Sequence, residues 1–271
     1  MHHSQKSIEN KTLFYAWFPA MHTRIDLMFF VDEPRNNMIA TAGKIKSEIN
    51  KLESIANRFD PGSELSSINQ TAFGNSIQIS DEMFQIITEC LMYNVETLGY
   101  FDITMNSKNE LTEAISKIKL DSHQQSITFL HPDVQLDLSG FIKGYALRAV
   151  KEILFEEKIE NALINIGNSS ILALGNHPVG KGWKIAIPNE NNSLDCDLFD
   201  QCLTTSGNTK HTKWPIQQPK TRETITQSEL LSVITNDPAV GEVLSIALYI
   251  ANEEEQNQIL NQLEGKIINL N

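Results

Sequence analysis

A carboxylate and a lysine lie on either side of a glycine turn in the middle of the chain, and together they could hold an anionic ligand. Residues 134–138 alternate apolar and polar side chains, which predicts a half-buried strand with Asp137 near its end. Gly140 permits a tight turn, and apolar residues recur at helical spacing from Ile142 onward. A helix start directs free N–H groups at one place, and Lys143 lies in the first turn. The junction is a candidate anion site, although a structural turn with a solvated lysine has the same pattern.

The composition limits which partners are expected. The chain has 271 residues, of which 41% are hydrophobic and 21% charged, enough for a large core of ordinary globular type. Its net charge of −12 argues against a general nucleic-acid surface, so local positive groups or a metal must meet any anionic ligand. The three cysteines form no CxxC pair, which indicates neither a disulfide framework nor a zinc knuckle. The P-loop signature is also absent from the sequence.

No part of the sequence is expected to cross a membrane. No apolar run approaches the ~18 residues that a spanning helix needs. Leu13 to Met21 is short and lacks a clear basic region before it, so it does not read as a signal peptide. From the sequence as given, we expect a cytoplasmic location.

The elements that must position the junction are predicted from periodicity and capping residues. Strands are expected at 13–20, 24–31, 76–79, 126–130, 134–138, 162–166, 171–174, 183–187, 203–207, 231–235 and 267–270. Helices are expected from Glu33 or Asn36 to Ile55, and at 81–98, 142–157, 239–251 and 253–263. Ser80 is the expected cap of the helix at 81–98, and Ser63 the expected cap over a short turn. Strict βαβ alternation is missing, so we predict an α+β fold with antiparallel sheets. The polar residues 1–11 are expected to be disordered or to fray, and 12–271 to form one domain.

Two loops have alternative interpretations. The turn-rich segment 57–70 could become ordered around a ligand, but the favoured interpretation is a simple connection between two elements. Tyr100, Phe101 and Asp102 follow the end of a helix and could frame a planar ring. A buried phenylalanine beside a turn aspartate would give the same sequence.

Several fragments, in order, resemble one known family. They are Met21-His22-Thr23, SELSSIN (63–69), GYFDIT (99–104), LDLSGFIKGYA (136–146), ALINIGNSSILALG (162–175), WKIAIPN (183–189), TTSGN (204–208) and the late helix beginning Ala239-Val240-Gly241-Glu242. In content and order they resemble the FAD:protein FMN transferases, the ApbE-like family once labelled thiamine-biosynthesis lipoproteins. The resemblance covers about Thr12 to Asn271, and the location of such proteins is usually outside the cytoplasm.

The resemblance implies a fold, an activity and a set of site residues. The fold would be α+β with T-fold-like halves that bind FAD in a cleft. With Mg²⁺, such enzymes split the pyrophosphate, transfer FMN to a threonine hydroxyl of an acceptor protein and release AMP. By position, the FAD contacts would be Met21, Tyr100, Phe101, Asp102, Asp137, Lys143 and Ile216. The metal contacts would be the Gly140 carbonyl, Glu242 and Ser245.

The chain departs from the family pattern at the expected metal site. The family has an aspartate followed four residues later by a threonine, and Glu242 and Ile246 stand at these positions. Ile246 has no oxygen, and Ser245 points about 100° around the helix from it. The family's His-Ile-Ile-Asp-Pro stretch is represented by residues 215–219, without its histidine and aspartate. His211 could serve as an acid or base instead, or be a solvent-exposed loop residue.

Two hypotheses from different classes follow. The first is a working FMN transferase with a metal site adjusted to Glu242 and Ser245. The second is a catalytically impaired relative that binds flavin or another nucleotide, or an interaction protein on the same scaffold. A third, an unrelated α+β hydrolase, fits less well because residues 205–207 lack an evident nucleophile elbow.

Overall fold

An eight-stranded antiparallel sheet forms the centre of the protein, with strand order β1-β2-β3-β7-β8-β11-β12-β13. The computed structural model describes residues 1–8, 11–31, 37–109, 111–188, 193–208, 215–227 and 229–268. The strands of this sheet are β1 (His2–Ile8), β2 (Lys11–Ala20), β3 (Thr23–Val31), β7 (Asn161–Ile166), β8 (Ser170–Leu174), β11 (Gln201–Gly207), β12 (Leu230–Thr235) and β13 (Lys266–Ile268). Two smaller sheets pair β4 (Ile77–Gln78), β6 (Ser126–Phe129) and β5 (Ile118–Asp121), and β9 (Trp183–Pro188) with β10 (Ser193–Leu198).

The described helices form where apolar residues recur at helical spacing. They are α1 (Met38–Ala56), α2 (Glu64–Thr71), α3 (Asp81–Glu96), α4 (Ile142–Glu156), α5 (Pro238–Ile250) and α6 (Glu253–Gln262), with a 3₁₀ turn at Ala114–Lys117. The predicted caps are in place, because Ser63 accepts from the Ser66 N–H at 3.0 Å and Ser80 from the Met83 N–H at 3.2 Å. The predicted start of the first helix, at Glu33 or Asn36, lies outside the described residues.

Helix α4 packs against both α1 and α5, and all three helices pack against one face of the large sheet. Helices α4 and α5 approach closely at Gly144, where an added Cβ would lie 2.3 Å from the Pro238 carbonyl oxygen. A larger residue at this position would push the two helices apart. The close approach brings Lys143, at the start of α4, beside Glu242 in the second turn of α5.

The opposite face of the sheet is covered by the β9–β10 hairpin. Trp183 and Leu198 pack with Ile171, Ala173 and other apolar residues in a second, smaller core. Trp183 is buried, and its indole N–H donates to the Leu174 carbonyl at 2.8 Å. The sheet is therefore covered by helices on one side and by a hairpin on the other.

Two predicted segments have a different structure, and the strands β5 and β10 and the helix α2 were not predicted. Residues predicted to fray at the N-terminus instead form β1, whose seven residues all pair with β2. This edge strand lacks an apolar alternation because its side chains are nearly all exposed. The predicted strand at 134–138 joins no sheet, although Val134, Leu136 and Leu138 are buried and the side chains between them are partly exposed, as the alternation indicated. No helix among the described residues is long and apolar enough to span a bilayer.

Candidate ligand-binding cleft

A cleft of about 890 Å³ lies beside the junction between the 134–138 segment and α4. Its walls come from the β2–β3 turn, the loop after α1, residues 100–106, residues 137–140, residues 215–219 and the second half of α5. A side arm of about 130 Å³ continues past Asp137 to Met21 and Lys143. Cofactor sites typically have volumes of ~300–1,000 Å³, so the cleft is large enough for a dinucleotide-sized ligand.

The seven residues predicted to contact FAD all line these two connected spaces. Tyr100, Phe101, Asp102, Asp137 and Ile216 line the cleft, and Met21, Asp137 and Lys143 line the side arm. Asp137 lines both. The structure thus brings together side chains that are far apart in the sequence, while their contact with a flavin stays a prediction.

Asp137 is held at the boundary between the cleft and the side arm. Its Oδ1 accepts the Ser139 N–H at 2.8 Å, which closes the turn towards Gly140. Its Oδ2 accepts from the Asn106 amide and lies 3.0 Å from Arg58 Nε, an ion pair without hydrogen-bond alignment. The carboxylate is only 13% exposed. It is therefore fixed in orientation before any ligand enters.

The backbone around Asp137 is supported by side chains and loops. Asn69 accepts the Leu136 N–H at 2.8 Å and donates to the Leu136 carbonyl at 2.9 Å, and the Asp137 N–H donates to the Ile103 carbonyl at 2.8 Å. These bonds satisfy groups that a sheet partner would otherwise satisfy. This explains why an alternating sequence here is extended without being a strand.

Lys143 connects the side arm with the buried carboxylate of α5. Its ammonium donates to the hydroxyls of Ser169 and, at 3.1 Å, Ser170, and lies 3.7 Å from Glu242 Oε1. Ser170 in turn donates to the same Glu242 oxygen. Glu242 is 2% exposed, and this burial raises its pKa, against the lowering effect of Lys143 and Ser170.

Two of the three residues predicted to hold a metal, Glu242 and Ser245, have their side-chain polar groups engaged in other contacts. Ser245 donates to the Glu242 carbonyl at 3.0 Å and pairs with the Ser206 hydroxyl at 2.7 Å. Gly140 lines the cleft, but Glu242 and Ser245 line neither space. Ile246 packs so closely on Gly140 that an added Cβ would lie 2.9 Å from its Cδ1. Within the described part of the chain, no three His, Cys, Asp or Glu side chains form a metal-binding group.

Among the cleft residues that were not identified from the sequence as site residues, three are basic or aromatic. Arg58 and Phe59 belong to the 57–70 segment, for which the sequence favours a simple connection, and His22 lies in the β2–β3 turn. The Arg58 guanidinium lies 4.3 Å from the Phe59 ring centroid, and the His22 ring meets Phe59 edge-on at 6.2 Å. Phe59 is 61% exposed. The sequence feature that could have identified Arg58 and Phe59 is a basic residue directly before an aromatic residue.

Residues 215–227, here called the covering segment, contribute a further wall of the cleft through residues 215–219. The Ile216 N–H donates to the Asn208 side chain at 2.9 Å, and Arg222 donates to the carbonyls of Thr104, Met105 and Leu111. Lys220 lies 4.2 Å above the Tyr100 ring. The segment is thus tied to residues 100–111 on the other side of the cleft. His211, the alternative acid or base, lies outside the described residues.

Comparisons with known proteins agree with this architecture. The FAD:protein FMN transferase of Chlamydia muridarum is 28% identical over 188 residues, covering 62% of this chain and 58% of the relative. The flavin transferase ApbE from Vibrio cholerae superposes with a TM-score of 0.81 at 18% identity, covering 98% of this chain and 93% of that one. The flavinyl transferase ApbE of Pseudomonas stutzeri, apo form, gives 0.82 at 16%, covering 96% and 92%.

These likenesses confirm the predicted α+β class with antiparallel sheets. The chain spans less than two thirds of the length of the first curated relatives, 58% and 62%. The model of the ApbE family matches residues 21–269, nearly the whole chain. The fold, the cleft and this match together establish that the chain belongs to the ApbE family.

Proposed function

We propose that this chain binds FAD in the cleft and transfers its FMN part to a threonine hydroxyl of an acceptor protein. The curated relatives are named FAD:protein FMN transferases. The observation that carries the proposal is the convergence of all seven predicted FAD contacts on one connected cleft. Residues 100–102, Ile216 and Met21 would contact FAD along these walls.

The transfer is a substitution at phosphorus. The threonine oxygen forms a bond to the FMN phosphorus, the bond from that phosphorus to the bridging oxygen breaks, and AMP leaves with that oxygen. One proton is released from the hydroxyl. Such reactions depend on positioning and on neutralising the phosphate charge. Arg58 and Lys143 are the cations that line the side arm, and Asp137 would orient the bound dinucleotide between them.

The residues at the family's metal positions do not fit Mg²⁺. This ion requires near-octahedral oxygen ligands at 2.0–2.1 Å. The Glu242 oxygen nearest to Lys143 is already paired, Ser245 is bonded inside the core, and Ile246 places a methyl group beside Gly140.

The poor fit of these residues to Mg²⁺ favours a second candidate function. A chain without a competent metal site could retain FAD and have lost the transfer. It would then be a flavin-binding protein on an ApbE scaffold. The two candidates share the cleft and differ in whether AMP is formed.

One experiment separates them. The full chain is incubated with FAD and a threonine-containing acceptor protein, in MgCl₂ and in EDTA, with an acceptor in which that threonine is replaced by valine as the control. Transfer predicts an acceptor mass increased by FMN and an equal amount of AMP, only with the threonine acceptor. Tight FAD binding without AMP would select the binding protein. Absence of FAD binding in both buffers would overturn both candidates.

A further inference from the structure

We propose that Lys143 and Arg58 replace the divalent cation in this chain, so that the diphosphate of the dinucleotide is bound without metal. This inference rests on the proposed FAD binding and concerns the same cleft. Behind the cleft wall, Lys143 Nζ forms an ion pair with Glu242 and lies 3.7 Å from its Oε1.

The ion pair disfavours a metal at the α5 carboxylate. A Mg²⁺ ion bound through Oε1 would lie at most about 6 Å from the Lys143 ammonium, because the metal–oxygen distance is ~2.1 Å. The carboxylate is nearly inaccessible to solvent, which makes the repulsion between the two cations poorly screened. Binding would require Lys143 to leave Ser169, Ser170 and Glu242 together.

The cleft side of the same position is apolar. Ile246 lines the cleft and contacts Gly140, the residue whose carbonyl was predicted to face a metal. An isoleucine supplies no oxygen ligand and excludes the waters that Mg²⁺ normally keeps. Lys143 behind the cleft wall and Ile246 on its cleft side therefore both disfavour a metal ion beside Glu242.

Positive charge is instead supplied by side chains. The Lys143 ammonium has three N–H donors, and serine hydroxyls accept two of them, which leaves one for the side arm or Glu242. Arg58 lines both the cleft and the side arm, and its Nε lies against Asp137 without an aligned hydrogen bond. A diphosphate in the side arm would meet both cations and the N-terminus of α4.

The test measures binding and does not depend on catalysis. FAD is titrated into the full chain, with its fluorescence as readout, in EDTA and in millimolar MgCl₂, and riboflavin is titrated in parallel as a ligand without phosphate. We expect the dissociation constant for FAD to agree within about twofold between the two buffers. Binding of FAD only in MgCl₂ would overturn the inference and leave the proposed function standing. No FAD binding in either buffer would overturn both.

A variant pair assigns the effect to Lys143. Because Lys143→Met alone would leave Glu242 buried without its partner, the variant is Lys143→Met with Glu242→Gln, and the control is the exposed Lys184→Met on β9. We expect the double variant to bind FAD about tenfold more weakly in EDTA and riboflavin unchanged. Equal FAD affinity in the double variant and the control, with both folded by circular dichroism, would overturn the role of Lys143.

Discussion

Glu242 shows how one longer side chain changes the chemistry of a position. Its carboxylate reaches across from α5 to the Ser170 hydroxyl on β8 and faces Lys143 on α4. The buried carboxylate thereby joins three elements. Burying a charge is costly unless it is paired, so the group is a structural link as well as a site residue.

The first prediction returns oxygen ligands to this position. Glu242→Asp with Ile246→Thr shortens the carboxylate away from Ser170 and replaces the methyl group at Gly140 with a hydroxyl. We expect the variant to bind Mg²⁺ more tightly, and its FAD affinity to rise about tenfold on adding MgCl₂. Isothermal titration with MgCl₂, with and without FAD, measures both effects.

The control also replaces one cleft-lining isoleucine of α5 with threonine, but one helical turn after Ile246. Ile250 also lines the cleft, so Glu242→Asp with Ile250→Thr adds a hydroxyl to the same space away from Gly140. This control should show no gain in metal affinity. Equal metal affinity in both variants would contradict the placement of Ile246 at the metal position.

At the scale of elements, the extended 134–138 segment depends on α2. Asn69 is the only side chain among the described contacts that bonds both backbone groups of Leu136. By holding Leu136, Asn69 also fixes the position of the next residue, Asp137. The alternating sequence correctly predicted which side chains are buried, but it contains no information on this long-range side-chain partner.

The second prediction removes that support. Asn69→Ala leaves the N–H and carbonyl of Leu136 without their partner, so we expect a loss of about 1–3 kcal/mol in the free energy of unfolding. FAD binding should weaken as Asp137 shifts. Urea unfolding and FAD titration measure the two effects. Asn75→Ala, at an exposed amide that bonds only carbonyls near the end of α2, should change neither.

The start of α3 carries a link to two other helices. Glu82 accepts from Lys51 of α1 at 2.7 Å and from Tyr145 of α4 at 2.7 Å. Burial raises the pKa of Glu82, but these two hydrogen bonds outweigh it and leave the pKa below its ordinary value. A carboxyl with a lowered pKa in the folded state stabilises the fold above its unfolded pKa of about 4.3, and this contribution is lost as the pH falls through the folded value.

The third prediction concerns the stability that the lowered pKa of Glu82 contributes at neutral pH. At neutral pH, Glu82→Gln should lower the free energy of unfolding by about 1–3 kcal/mol, and its difference from the wild type should shrink as the pH falls below about 4.3. Thermal unfolding across this range measures the trend. Glu254→Gln is matched to it, because Glu254 lies in the first turn of α6 and is exposed. A constant difference for Glu82→Gln at all pH values would contradict the assigned link.

At the scale of the whole molecule, the cleft is assembled from parts that are far apart in the chain. Strands, helices and caps followed local patterns and could be predicted, as the Ser63 and Ser80 caps show. The roles of Arg58 and Phe59 could not, because the loop that carries them becomes a wall only when it packs beside Asp137. Likewise, nothing in the local sequence indicates that Lys143 meets Glu242, since that contact depends on the close approach of α4 and α5.

The fourth prediction concerns the residue that closes this assembly. The Arg222 guanidinium donates to the Met105 carbonyl at 2.8 Å and also to the carbonyls of Thr104 and Leu111, so it fixes the covering segment to the opposite wall. Arg222→Lys keeps the charge and the left-handed backbone position but replaces a planar fork with a single ammonium. We expect FAD affinity to fall about tenfold, equivalent to ~1.4 kcal/mol, while the free energy of unfolding changes less.

A comparison with Lys220→Met separates a specific tie from general loss of positive charge in the segment. Lys220 pairs with Glu255 at 3.7 Å with half of its side chain exposed, and exposed ion pairs of this kind contribute about 0–1 kcal/mol. FAD titration of both variants should therefore give a large change for Arg222→Lys and a small one for Lys220→Met. Unchanged FAD affinity in Arg222→Lys, with a large loss in Lys220→Met, would show that charge, and not the bonds of Arg222 to the carbonyls of Thr104, Met105 and Leu111, keeps the covering segment on the cleft.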